Sequence, residues 1–181
     1  MIPGSVRRIV LIGFMGAGKS SVGRALADRL EWDFVDLDRA IVDRVELPVP
    51  EIFGSLGEPF FRKIEGEEGA VALERDQIVL ATGGGWAAVP GRLEELPPGT
   101  VTVWLSVTSQ EAIRRTATTP GTRPLLTGGD AVGFVVRLLE KRTPYYELAD
   151  VEVDTDGLSV EDVSAHVLEA LGRISTQETV E

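Results

Sequence analysis

Cysteine is absent from this chain, histidine occurs once, at His166, and aromatic residues make up only 6%. Without cysteine there is no disulfide scaffold, no thiolate metal site and no cysteine nucleophile. A single histidine in the last helical stretch, away from every motif, argues against a histidine-built metal centre or a Ser–His triad and reads as structural. Trp32, Trp86 and Trp104 are too scattered for a base-stacking platform. Basic charge is also scarce. Lys and Arg number 18 against 29 Asp and Glu, a net −11 that repels nucleic acid and anionic membranes. No apolar run approaches the roughly 18 residues of a membrane helix. The run 9–15 behind Arg7-Arg8 passes straight into Gly16-Ala17-Gly18-Lys19, so it reads as a buried strand and not as a secretory signal. These absences lead us to expect a cytoplasmic protein with no nucleic-acid or membrane partner.

What is present is globular: 43% hydrophobic and 26% charged residues over 181 positions, enough for one domain with a sizeable core. Short Val/Ile/Leu-rich runs at 8–13, 33–37, 77–81, 100–106 and 150–154 suit strands covered on both faces. Helical patterns at 19–30, 59–75, 109–116, 131–146 and 159–171 alternate with them. The alternation predicts an α/β domain over residues 1–174 with a parallel sheet. A Thr/Gly/Pro-rich insert at 116–130 and a polar tail at 175–181 stand apart from this pattern.

Gly13-Phe14-Met15-Gly16-Ala17-Gly18-Lys19-Ser20 matches the phosphate-binding loop G-x-x-x-x-G-K-[ST] in full, between a strand and a helix. Its backbone N–H groups would converge on phosphate oxygens, Lys19 would reach the β- and γ-phosphates, and the Ser20 hydroxyl would bind Mg²⁺. The site is one for a nucleoside triphosphate. Asp36 and Asp38 follow the second strand at the carboxyl edge, where an i, i+2 pair on extended backbone shares a face. One would serve the Mg²⁺ water shell and the other a substrate hydroxyl, or the pair would be solvated acids capping a helix over 39–45. Gly83-Gly84-Gly85 bares the backbone after the third strand, for ligand contact or for a tight turn.

Between Glu111 and Thr143 six basic residues outnumber three acidic ones, an inversion of the overall balance that suggests anion contacts. Arg123 lies in the insert, as an arginine closing over a transferring phosphoryl group would. Arg137 and Lys141 read as a solvated helix face. Glu65, three residues after Arg62, either holds its guanidinium in place or forms an ordinary surface pair.

In order and spacing these motifs resemble the shikimate kinases, over residues 8 to about 155. The residues that carry the resemblance are the phosphate loop, Asp36-Leu37-Asp38, Gly57-Glu58 through Phe61-Arg62 and Glu65, Gly83–Gly85, Arg123-Pro124-Leu125-Leu126, and Arg142 with Tyr146. The resemblance implies a P-loop kinase of the nucleoside-monophosphate-kinase type. Its five-stranded parallel sheet would carry a lid at about 116–130 and a substrate-binding subdomain at about 38–65. It implies phosphoryl transfer from MgATP to the 3-hydroxyl of shikimate by a monomer. Asp38 would bind substrate hydroxyls and act as base. Arg62 and Arg142 would clamp the carboxylate, as planar guanidinium forks do. Gly83, Gly84 and Gly85 would contact substrate, and Lys19 with Arg123 would stabilise charge on the transferring group. Gly16, Ala17, Gly18, Ser20 and Ser21 would hold the phosphates, Arg115 would lie along the adenine, and Asp36 would order water around Mg²⁺.

The chain departs from the family at Glu46-Leu47-Pro48-Val49, at Trp86, whose bulk beside the glycines could narrow the pocket, and at Asp156-Gly157, where some members carry a basic residue. A nucleoside-monophosphate or gluconate kinase shares the fold and the phosphate loop; the first commonly carries several lid arginines, where 116–130 offers only Arg123. A non-catalytic nucleotide-binding module is the alternative of a different class.

Overall fold

The computed structural model describes residues 2–117 and 130–177. Most of the expected lid, with Arg123 in it, and the last four residues of the expected tail lie outside the described residues.

Five strands form one all-parallel sheet in the order β2-β3-β1-β4-β5, with β1 Arg8–Ile12, β2 Asp33–Asp36, β3 Ile78–Ala81, β4 Thr100–Ser106 and β5 Val151–Asp154. Among the described residues seven helices connect and flank them: α1 Lys19–Leu30, α2 Leu37–Val45, α3 Val49–Ser55, α4 Gly57–Leu73, α5 Ser109–Ala117, α6 Ala131–Tyr146 and α7 Val160–Gln177. Among the described residues no helix is long and apolar enough to cross a membrane.

The expected alternation holds, with two corrections. Only the inner strands are covered on both faces: β3 is buried throughout and β1 from its second residue on. The edge strands β2 and β5 are partly exposed, because each has a neighbour on one side only. The second strand also ends at Asp36, and Leu37 opens a helix. Asp36 and Asp38 therefore do not leave one face of an extended segment. The Asp36 carboxylate accepts a hydrogen bond from the Arg39 N–H at 3.2 Å and caps α2, whereas Asp38 sits in its first turn.

The chain builds one half of the sheet through β1, β2 and β3, then crosses to β4 and β5. The order reverses at β1, and the crevice at such a reversal is where open α/β sheets bind ligands. Parallel register pairs Asp36 with Ala81 and Leu11 with Ala81. The segments leaving β1, β2 and β3 are thereby delivered side by side at one edge.

Candidate active site

The phosphate loop leaves β1 at this edge. Gly16 and Gly18 adopt φ of 77° and 86°, a left-handed region that a residue with a β-carbon rarely enters. Gly18 precedes α1 with no side-chain cap, so the first N–H groups of that helix meet no competing side-chain acceptor at the cap. The Lys19 ammonium donates to the carbonyls of Gly13 and Phe14 at 2.8 Å each and lies folded across the loop. Ser20 and Ser21 are exposed at the helix start. No cluster of three or more metal-ligating side chains occurs among the described residues. The donor set is hence one hydroxyl beside a phosphate cradle. That fits Mg²⁺, which favours substrate phosphates and water over an all-protein cage.

Beside the loop opens a cleft of about 400 Å³, walled by Ala17, Val22, Arg115, Thr155, Leu158 and Val160. Arg115 spans it. Its guanidinium donates to the Gly16 carbonyl at 3.1 Å, to the Thr155 hydroxyl at 3.0 Å and to the Thr155 carbonyl at 2.6 Å. Hydrogen bonds from Arg114 and Arg115 hold the Glu111 carboxyl down to about 2. Sequence reasoning placed Arg115 here but missed Thr155 and Leu158. Their only signal was a position just past β5, on the ligand-binding edge.

A second set of groups converges on the three glycines. A Cβ on Gly83 would lie 2.8 Å from Glu65 Oε1 and 2.9 Å from Asp38 Oδ1. One on Gly84 would lie 3.4 Å from Arg142 Nη1 and 3.4 Å from the Met15 amide nitrogen, and one on Gly85 would lie 2.5 Å from Arg62 Nη2. Any side chain at 83 or 85 would displace these groups. The stretch thus faces a carboxylate pair, then the phosphate loop with Arg142, then Arg62. Asp38, Arg62, Gly83–Gly85 and Arg142 come together as expected.

Arg62 donates to Glu65 Oε2 at 2.8 Å and to Glu58 Oε1 at 3.3 and 3.2 Å. Burial opposes its charge, but Glu65 and Glu58 outweigh that and raise its pKa. Glu65 is fully buried, and its Oε1 has no hydrogen-bond partner. Burial pushes its carboxyl up; Arg62 pulls the other way, Asp38 adds to the rise and Arg92 offsets part of it. This is no surface pair. The reading in which Glu65 holds the guanidinium is the one the burial supports.

From α6, Arg142 lies 5.9 Å from the Phe14 ring, and one turn later the buried Tyr146 hydroxyl donates to the Gly84 carbonyl at 2.5 Å. Burial drives that phenol up to about 12, so it stays a donor at neutral pH. Trp86 does not intrude on the glycine pocket: it is fully buried, with its indole nitrogen 3.0 Å from where a Cβ on Gly69 would stand. Trp104 is half-buried and tilts against Tyr146 at 5.9 Å between ring centroids.

Comparison with known proteins agrees with this arrangement. The family model described as shikimate kinase matches residues 15–172. The shikimate kinase of Moorella thermoacetica is 44% identical over 163 residues, covering 90% of this chain and 93% of that protein. That of Synechococcus sp. is 41% identical over 163 residues, covering 90% and 83%. A solved structure of the shikimate kinase from Acinetobacter baumannii in complex with shikimate superposes with a TM-score of 0.86 at 30% identity, covering 98% of this chain and 97% of that one. With its phosphate loop, its glycine-walled pocket and this degree of similarity along nearly its whole length, the chain belongs to the shikimate kinase family.

Proposed function

We infer that this chain transfers the γ-phosphoryl group of ATP to the 3-hydroxyl of shikimate, giving shikimate 3-phosphate and ADP. The observation that carries the reading is the glycine stretch, which faces Asp38 at one end and Arg62 at the other with the phosphate loop between them. A small acceptor bearing hydroxyls and one carboxylate matches that order of groups. The Arg62 and Arg142 guanidiniums suit the carboxylate, since a planar fork donates two parallel hydrogen bonds where an ammonium offers a point charge.

In this reading Asp38 accepts the proton of the 3-hydroxyl as its oxygen bonds to the γ-phosphorus. The bond from that phosphorus to the bridging oxygen breaks, and the electron pair leaves with ADP. Lys19 turns from the Gly13 and Phe14 carbonyls to the phosphate oxygens, a short swing because the loop already surrounds it. Ser20, and Asp36 through water, would hold Mg²⁺, which supplies charge neutralisation on the β- and γ-phosphates when bound. Gly16, Ala17, Gly18 and Ser21 supply the phosphate cradle, and Arg115 borders the base cleft. Arg123 and the lid at 116–130 would close over the transferring group, the 38–65 subdomain would hold the acceptor, and the tail expected at 175–181 would begin only after Gln177, where α7 ends. On the family resemblance, the reading extends to a cytoplasmic monomer.

The deciding measurement is ADP release from MgATP with shikimate, gluconate and AMP as separate acceptors. Release dependent on shikimate alone is the expected result. Equal stimulation by gluconate or AMP would move the acceptor assignment elsewhere in the fold class, and ATP binding without release in any of the three would return the chain to a nucleotide-binding module.

A further inference from the structure

The acceptor pocket has an unusual charge balance behind it. Glu65 and Asp38 approach the same point over Gly83, and Glu65 is fully buried. Arg62 is the only cation bonded to Glu65 among the described residues, and it is also the group assigned to the acceptor's carboxylate. When that carboxylate arrives, Arg62 must serve two anions, with Asp38 close by as a third. A buried carboxylate in this position loses its charge unless further positive charge stands near it.

A further cation stands outside the pocket. The segment following Gly85 lies against α4 at two glycines. A Cβ on Gly69 would come within 3.0 Å of the Trp86 indole nitrogen, and one on Gly66, next to Glu65, within 3.2 Å of Arg92 Nη1 and 3.3 Å of Nη2. The Arg92 guanidinium stands 5.3 Å from the centroid of the Trp86 ring. It is half-buried, borders a cleft of about 900 Å³ that Arg62 also lines, and enters no ion pair within 4 Å among the described residues. A cation seated over an aromatic face and against the residue that follows a buried carboxylate can favour that carboxylate's charge without a hydrogen bond to it, because a buried charge is screened less than an exposed one.

We propose that Arg92, seated on Trp86, is a positioning residue for the acceptor: its charge keeps Glu65 ionised, and ionised Glu65 keeps Arg62 aimed across Gly85. The proposal rests on the acceptor site assigned above. The charged groups facing Glu65 are Arg62 on its own helix, Asp38 on α2 and Arg92 on the segment after β3, and they act in the senses the geometry requires: the two arginines favour the ionised form and Asp38 opposes it. Removing Arg92 therefore moves protonation of Glu65 to higher pH.

The test compares Arg92→Met, which keeps an apolar stem on Trp86 and removes the charge, with Arg92→Lys, which keeps the charge; Arg92→Gln replaces the first if it does not fold. The charge-removing variant is expected to raise the KM for shikimate about fivefold with kcat and the KM for ATP held. It should also shift the acid limb of kcat/KM upward by about half a pH unit. The lysine variant restores that limb. In the ligand-free protein, the ¹³C carboxyl resonance of Glu65, assigned by its loss in Glu65→Gln, titrates at higher pH in the charge-removing variant. An unmoved acid limb and an unmoved Glu65 titration overturn the proposal, even where both KM values rise together, because that pattern marks Arg92 as packing alone. Absence of shikimate-dependent turnover in the unmutated protein would instead overturn the acceptor reading, while the Glu65 titration would still decide whether Arg92 governs its charge.

Discussion

Asp38 and Glu65 are two carboxylates at one point of the pocket, and their surroundings separate their tasks. Glu65 is fully buried and bonded to Arg62, which commits it to holding the guanidinium. Asp38 is half-buried in the first turn of α2 and faces the glycine edge where the acceptor would lie. Replacing Asp38 by Asn keeps its shape and removes its capacity to take a proton. We expect Asp38→Asn to lower kcat by about 10² to 10⁴ while the Kd for ATP, measured by calorimetry, stays within twofold or so. Turnover surviving within about tenfold would remove Asp38 as the base. The motif made Asp38 legible in the sequence. The burial of Glu65 was not, because an Arg and a Glu three residues apart on a helix read equally as an ordinary surface pair until the fold turns that side of α4 inward.

Two helices act as braces for the two substrates. The α6 helix carries Arg142 and, one turn on, Tyr146, whose hydroxyl pins the Gly84 carbonyl. Tyr146→Phe leaves that carbonyl without its partner and is expected to cost about 1–2 kcal/mol in urea unfolding at an unchanged m-value. The same variant should raise the KM for shikimate and leave that for ATP in place. The α5 helix braces the nucleotide side, where Glu111 accepts from both Arg114 and Arg115 at 2.6–2.7 Å. Held down to about 2, below the usual 4.5 of a free carboxyl, it brings a stabilisation that is full above about 4.5 and is lost as pH falls towards 2. Comparison of thermal unfolding across that window should show a steeper acid loss in the unmutated protein than in Glu111→Gln. Parallel curves would mean that the pair contributes nothing to folding.

On the scale of the molecule, the net charge of −11 sits on a protein whose two proposed substrates are both anions. Binding therefore depends on local cations, namely Lys19 and Arg115 on one side and Arg62 and Arg142 on the other, and not on long-range steering. Ligand binding to the folded state alone raises stability by mass action. MgATP at one hundred times its Kd adds about 2.7 kcal/mol, or roughly 5–10 °C in Tm for a chain of this size. Differential scanning should show that shift in the unmutated protein and lose most of it in Lys19→Met. An equal shift in both would detach Lys19 from the phosphates.

The sequence by itself determined the alternation of strands and helices, the phosphate loop and the positions of the glycine stretch and the candidate arginines. Each is written in contiguous residues whose backbone demands or periodicity act locally. It left open whether Asp36 and Asp38 act together, whether Arg62 and Glu65 form a surface pair, and where Trp86 points. Those were decided by the tertiary structure. The in-register pairing of β2 with β3 sets Asp36 opposite Ala81, and two residues further on Asp38 meets Gly83. The turn into α2 separates the two aspartates, and the approach of α4 at Gly66 and Gly69 draws Trp86 inside and brings Arg92 against Gly66, the residue after Glu65. Contacts between residues so far apart in the chain exist only once the strands are paired and the helices packed, because burial and charge proximity belong to the folded surface and not to any one segment of it.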